Sequence, residues 1–158
     1  MISQLLIISF VHLSAGNLQL KSPAVVTVTV SESIVYDGIR TMIPIRVGVK
    51  EGYHIQANSV DDESLIPTTL EVHDDKNIII GKQEFPLSKK FQLEGTDTFL
   101  NVYDGEFQIK LFVSAVAKTQ TGKYTLKAKL RYQACDSRSC LFPKVIDFSI
   151  PLEIRPVK

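Results

Sequence analysis

Apolar and polar side chains alternate along this chain with a period of two, and that alternation constrains its fold more than any other feature. It is clearest where Tyr124, Leu126, Ala128, Leu130, Tyr132 and Ala134 interleave with Thr125, Lys127, Lys129, Arg131 and Gln133. Successive side chains of a strand point to opposite faces of a sheet, so this segment reads as a half-buried strand, greasy on one side and cationic on the other. The pattern recurs in Val26, Val28 and Val30, in Ile43, Ile45, Val47 and Val49, in Phe107, Ile109, Leu111 and Val113, and in Ile146, Phe148 and Ile150. Between the runs lie turn-forming stretches: Tyr36-Asp37-Gly38, Glu51-Gly52, Asp74-Asp75-Lys76-Asn77, Asp104-Gly105 and Thr121-Gly122. No long segment shows helical spacing. Roughly seven or eight short strands without crossover helices predict an all-β fold, two antiparallel sheets packed face to face as an immunoglobulin-like β-sandwich. A closed barrel is the alternative that alternation alone does not separate.

At 158 residues the chain has the size of one domain and can bury roughly 70% of its unfolded surface without metals or a ladder of disulfides. The 18 Lys and Arg against 17 Asp and Glu leave a net charge of +1, with 44% hydrophobic residues. That balance excludes a disordered chain and argues against nucleic acid as a partner. The apolar run from Leu5 to Leu13, followed by Ser14-Ala15-Gly16, has the form of a signal peptide and is too short to span a bilayer. Residues 1–16 are therefore expected to be a signal peptide or a truncated export segment. Residues 17–158 are expected to form a single domain in an oxidising compartment. The least patterned stretch runs from Phe85 to Tyr103 and is expected to be a surface excursion, a place where function often sits.

With no Trp and no phosphate-binding loop, Cys135 and Cys140 carry the chain's redox chemistry. They lie between the strand ending near Ala134 and one beginning near Lys144, flanking the tip of a hairpin, and four intervening residues allow the two Cβ atoms to reach bonding distance. A loop this short restrains the unfolded chain by only about 2 kcal/mol. A staple across a sandwich would gain more. The spacing leaves open an exchange-active pair, a static hairpin clip, and two ligands of a zinc site. The zinc reading needs further ligands from His12, His54 and His73, and no metal or other cofactor is expected. Arg138 between the thiols favours a thiolate, whereas Asp136 beside Cys135 disfavours one. Pro143 removes a donor where a foreign strand would otherwise pair.

Three patches make the chain resemble the N-terminal periplasmic domain of the DsbD thiol:disulfide interchange family. They are Glu51-Gly52-Tyr53-His54-Ile55-Gln56-Ala57-Asn58, then Leu65-Ile66-Pro67-Thr68-Thr69-Leu70, and above all Tyr132-Gln133-Ala134-Cys135 with Cys140 and Pro143. The resemblance implies an immunoglobulin-like domain with an activity of the protein-disulfide reductase type. Its cysteine pair would take electrons from a thioredoxin-like protein or domain and pass them to exported client proteins. It also implies that Cys140 forms the mixed disulfide and Cys135 resolves it. A cap loop is implied over the pair, with Phe99 in Gly95-Thr96-Asp97-Thr98-Phe99-Leu100-Asn101 as its lid. His54 and Gln56 are expected to line the site together with Arg138, with His54 able to shuttle a proton. Some family members separate the cysteines by five residues. Larger members add a membrane electron-transporting domain and a thioredoxin-like domain, so this chain is expected to be a free-standing relative or a piece of a longer one, and a membrane electron-transporting partner is implied. The contrasting expectation is a non-catalytic immunoglobulin-like binding or assembly domain with a static disulfide.

Overall fold

The computed structural model describes residues 24–157, so the expected signal peptide over 1–16 lies outside the described residues. Within them the chain is all-β, an immunoglobulin-like sandwich. One main sheet holds β1 (Val26–Thr29), β3 (Thr41–Val49), β9 (Glu106–Ala115) and β6 (Ile78–Glu84) in that order. The other holds β2 (Ser33–Tyr36), β12 (Lys144–Arg155), β10 (Gly122–Tyr132) and β5 (Thr69–Val72). Every neighbouring pair in these two sheets is antiparallel except β2 and β12, which run parallel.

The alternation places the core. Ile43, Ile45, Ile109 and Leu111 of the first sheet pack in one cluster with Leu126, Leu130, Ile150 and Leu152 of the second. All are essentially inaccessible to solvent, and each such side chain stabilises the fold by about 1.5–3 kcal/mol through burial. The cationic face of β10, with Lys127, Lys129 and Arg131, remains outside the core. β10 and β12 form the longest hairpin, in register from Gly122 opposite Ile154 to Tyr132 opposite Lys144. Its connection carries both cysteines.

Two sheets were expected and a third, smaller one is present. It comprises β11 (Ala134–Cys135), β4 (His54–Gln56), β8 (Phe99–Tyr103) and β7 (Lys89–Gln92). Part of the stretch expected to be a surface excursion is therefore the β7–β8 hairpin, in register from Lys89 opposite Val102 to Gln92 opposite Phe99. These strands are short, and Lys89 and Lys90 mask the apolar signal of β7, as charged residues on an edge strand commonly do. The turn Asp104-Gly105 joins this sheet to β9. Gly105 has φ +58°, a conformation that glycine adopts without the steric penalty of a Cβ.

Candidate functional site

The third sheet exists because the chain leaves β10 at Gln133. The Gln133 carbonyl accepts a hydrogen bond from the Gln56 amide at 3.0 Å, and the next two residues pair with β4, Ala134 opposite Ile55 and Cys135 opposite His54. The Gln133 side chain fixes this departure. Its Oε1 accepts from the Ile66 amide at 2.8 Å, and its Nε2 donates to the Leu141 carbonyl at 3.2 Å. One side chain thus ties together the loop before β5, the strand end and the segment after Cys140.

Beyond Cys135 the chain reverses over four residues. Asp136 caps the turn, its Oδ1 accepting from the amides of Arg138 and Ser139 at 2.8 Å each. Those two hydrogen bonds hold the Asp136 carboxyl below its ordinary range. The Leu141 amide donates to the Ala134 carbonyl at 2.7 Å, and Cys135 and Cys140 are joined in a disulfide with Sγ–Sγ 2.01 Å. Cys135 is wholly buried, and Cys140 is half-buried. The exposed tip expected from the hairpin is therefore only half exposed: β11 draws the first cysteine into a sheet, while the second stays at the rim. On that rim a groove of about 460 Å³ is lined by Gln133, Cys140, Leu141, Phe142, Pro143 and Lys144. Phe142 is 91% exposed.

Opposed residues in an antiparallel sheet share a face. Hence Cys135 and His54 lie on one face, with Gln56 opposite Val102 and Phe91 opposite Leu100 on the same side. Ile55, Ala134 and Tyr103 face the main core instead. Leu100, Val102 and Cys135 form a separate apolar cluster, against which Leu65, Phe91, Leu93 and Cys140 pack.

Of the residues singled out from the sequence, His54 and Gln56 meet the disulfide. The Gln56 Nε2 lies 3.2 Å from Cys135 Sγ and 3.7 Å from Cys140 Sγ. His54 is buried and its ring stacks on Phe91, with centroids 3.7 Å apart. Burial pushes its pKa down, opposed by a hydrogen bond to the Asp136 backbone and by the charges of Asp104 and Asp136.

Phe99 does not meet the disulfide. It shares its pleat parity with Tyr103 rather than with Leu100, so it lies on the opposite face of β8 and remains 54% exposed. The aromatic over the site is Phe91, which sequence reasoning missed. A faint signal existed in the alternation of Phe91 and Leu93. Arg138 stands outside the cluster, 83% exposed, with its Nε 3.3 Å from Glu94 Oε2. Beside that ion pair the Glu94 amide donates to the Ser137 carbonyl at 2.9 Å. Two contacts thus fasten the segment after β7 to the cysteine turn.

Fold and site define a class: a β-sandwich with a disulfide at the end of its longest hairpin, one sulfur entombed and the other beside a groove. The family model described as "Thiol:disulfide interchange protein DsbD, N-terminal" matches residues 15–150, and the chain belongs to this family. Among solved structures, the N-terminal periplasmic domain of ScsB from Proteus mirabilis is 17% identical, with a TM-score of 0.53 over 81% of this chain and 45% of that one. The seventh ScaB type I cohesin from Pseudobacteroides cellulosolvens is 10% identical, with a TM-score of 0.51 over 84% of this chain and 94% of that one. The reduced DsbD N-terminal domain from Neisseria meningitidis is 18% identical, with a TM-score of 0.45 over 68% of this chain and 74% of that one. A comparison with curated proteins finds no match. The likeness to the solved structures concerns the fold. Among the described residues no helix is long and apolar enough to cross a membrane.

Proposed function

We propose that this chain is a periplasmic thiol–disulfide exchange module of the protein-disulfide reductase type, relaying electrons from a thioredoxin-like donor to exported client proteins through Cys135 and Cys140. The observation that carries this reading is the asymmetry of the pair: Cys135 is sealed and Cys140 borders a groove. An incoming sulfur must approach a disulfide on an accessible atom, so access favours Cys140 as the atom that partners reach.

In the reduced state the Cys140 thiolate attacks a client disulfide. A mixed disulfide forms and the second client sulfur leaves as a thiolate. The Cys135 thiolate then attacks Cys140 Sγ and displaces the client cysteine, also as a thiolate. Two electrons have passed to the client, and the pair is oxidised. The donor's dithiol restores it by the reverse sequence, and a membrane electron-transporting partner is a source for that donor. The segment carrying Phe91, Leu93 and Glu94 acts as a cap over the buried side of the disulfide, and its opening widens the approach from the groove.

The test is capture. Cys135→Ser is expected to trap a mixed disulfide with a thioredoxin-like protein, and Cys140→Ser to trap none. Equal, negligible trapping by both would count against the assignment. The complete burial of Cys135 also fits a second reading, a binding or assembly domain with an inert clip. A redox titration separates the two, since an inert clip sits below about −300 mV and resists glutathione.

A further inference from the structure

Exchange places a negative charge on whichever sulfur leaves, and for a partner attacking Cys140 that sulfur is Cys135, which has no exposed surface. Among the described residues, the usual means of stabilising a thiolate, a helix N-terminus or a nearby cation, are missing around it. The described residues form no helix. The Arg138 guanidinium is 83% exposed and paired with Glu94. Burial drives His54 toward its neutral form, and the carboxylates acting on that ring, Asp104 and Asp136, are negative. Lys89, at the far end of β7, is paired with Asp104.

Among the described residues, one polar side chain does reach the sulfurs. Gln56 is wholly buried on the central strand β4, its Nε2 3.2 Å from Cys135 Sγ and 3.7 Å from Cys140 Sγ. Its Oε1 is buried with no hydrogen-bond partner among the described residues. A disulfide sulfur is a weak acceptor, so this amide is poorly satisfied while the pair is oxidised, a costly state for a buried polar group. A thiolate at the same place would accept a charge-assisted hydrogen bond from the same N–H, and such bonds are about twice as strong as neutral ones. The backbone of Gln56 is held separately, its amide by the Gln133 carbonyl and its carbonyl by the Thr68 hydroxyl. The side-chain amide is therefore free to serve the sulfurs.

We infer that Gln56 is a catalytic residue whose side-chain amide stabilises the Cys135 thiolate as it leaves. The inference rests on the exchange reading above. A partner thiolate attacks Cys140 Sγ and a bond forms between the two. The Cys135–Cys140 bond breaks, and its electron pair leaves on Cys135 Sγ, directly before the Gln56 Nε2–H. The partner sulfur is oxidised into the mixed disulfide and Cys135 is reduced. In the reverse direction the same hydrogen bond raises the fraction of Cys135 present as the attacking thiolate. The complete burial of Cys135 and Gln56 strengthens the effect, because a hydrogen bond to a charge is stronger at low local dielectric.

The experiment uses the full chain. In a Cys140→Ser background Cys135 is the only thiol, so thiolate absorbance near 240 nm against pH reads its pKa directly. Gln56→Met, close in length and volume but without a donor, is expected to raise that pKa by about one unit, a tenfold loss of thiolate at neutral pH. With both cysteines present, the same substitution is expected to slow reduction by dithiothreitol at pH 7 by about tenfold. Gln56→Glu, which keeps the shape and adds a carboxylate, should raise the pKa at least as far, and it carries the test if Gln56→Met does not fold. A folded variant of either kind with an unshifted Cys135 pKa overturns the inference, and a purely structural role would lower thermal stability with no such shift. The exchange reading fails separately, if the wild-type disulfide proves inert to dithiothreitol and glutathione. The pKa measurement in the single-cysteine background stands in either case.

Discussion

Truncating Phe91 to alanine should make the disulfide far easier to reduce. Phe91 is half-buried in the cluster around Cys135 and stacks on His54. If it covers about 100 Å² of apolar surface, half of what a large aromatic buries, its loss costs about 2.5 kcal/mol at 25 cal/mol per Å². The ring contact with His54 adds about 0.5–1 kcal/mol. The other ties closing the cap are weaker: Leu93 packs on the same cluster with a smaller side chain and no ring contact, the Glu94–Ser137 backbone hydrogen bond contributes about 1 kcal/mol, and the exposed Arg138–Glu94 pair less than that. Phe91 therefore dominates the closed state. Its removal should raise the open population by about one hundred- to three hundredfold, at 1.4 kcal/mol per factor of ten. If opening is rapid and precedes attack, the rate of reduction by dithiothreitol at pH 7 rises by the same factor, until the cap is open most of the time. The assay follows loss of the disulfide by maleimide trapping and mass, with amide hydrogen exchange in β7 reporting opening independently. Faster exchange in β7 with a reduction rate within about threefold of wild type would refute the reasoning, because the cap would then open without gating the sulfur.

Three smaller perturbations probe the same construction. Arg138→Ala removes only an exposed ion pair, so reduction should accelerate by at most about fivefold, and the difference from wild type should vanish in high salt. His54 has its pKa pushed down by burial, so below about pH 6.5 the unfolded chain binds a proton that the folded chain refuses. Wild-type stability should consequently fall as pH drops through and below 6.5, and His54→Phe should flatten that part of the melting-temperature profile. The carboxyls held low in the fold, Asp62, Glu84, Asp136 and Glu153, lose their contribution only below about 4.5, outside this window. Gln133→Leu leaves the Ile66 amide and the Leu141 carbonyl without their partner, which should lower unfolding stability by about 1–3 kcal/mol in urea titrations.

The parts of this molecule that sequence disclosed and the parts it withheld differ by the range of the interaction behind them. Alternation is local, so the long strands β3, β9, β10 and β12 and their core faces were legible from side chains two positions apart. The cysteine pair was legible for the same reason, since its partners are separated by five positions in one hairpin. Membership of the third sheet was not. β11 has two residues and β4 three, too few for a period to declare itself, and both are buried on each face. What makes them strands is their pairing with each other, the β8 edge and the tie from Gln133 to the Ile66 amide, partners remote in sequence.

Phe99 shows the consequence most directly. The family resemblance implied Phe99 as the lid, yet which face of β8 it occupies depends on register with β4 and β7, and a shift of one residue moves a side chain to the other face. The same parity that sends Phe99 away brings Phe91, Leu100 and Val102 over the disulfide and sets Gln56 against it. A single register, fixed by Gln56 opposite Val102 and Cys135 opposite His54, therefore decides at once what covers the sulfurs and what bonds to them. Slipping β4 by one residue against β11 would replace Gln56 with Ile55 or Ala57 beside the disulfide and leave the buried sulfur without a donor, whereas slipping β8 against β4 would exchange the residues that cover it, so the register of this small sheet is itself a determinant of the chemistry.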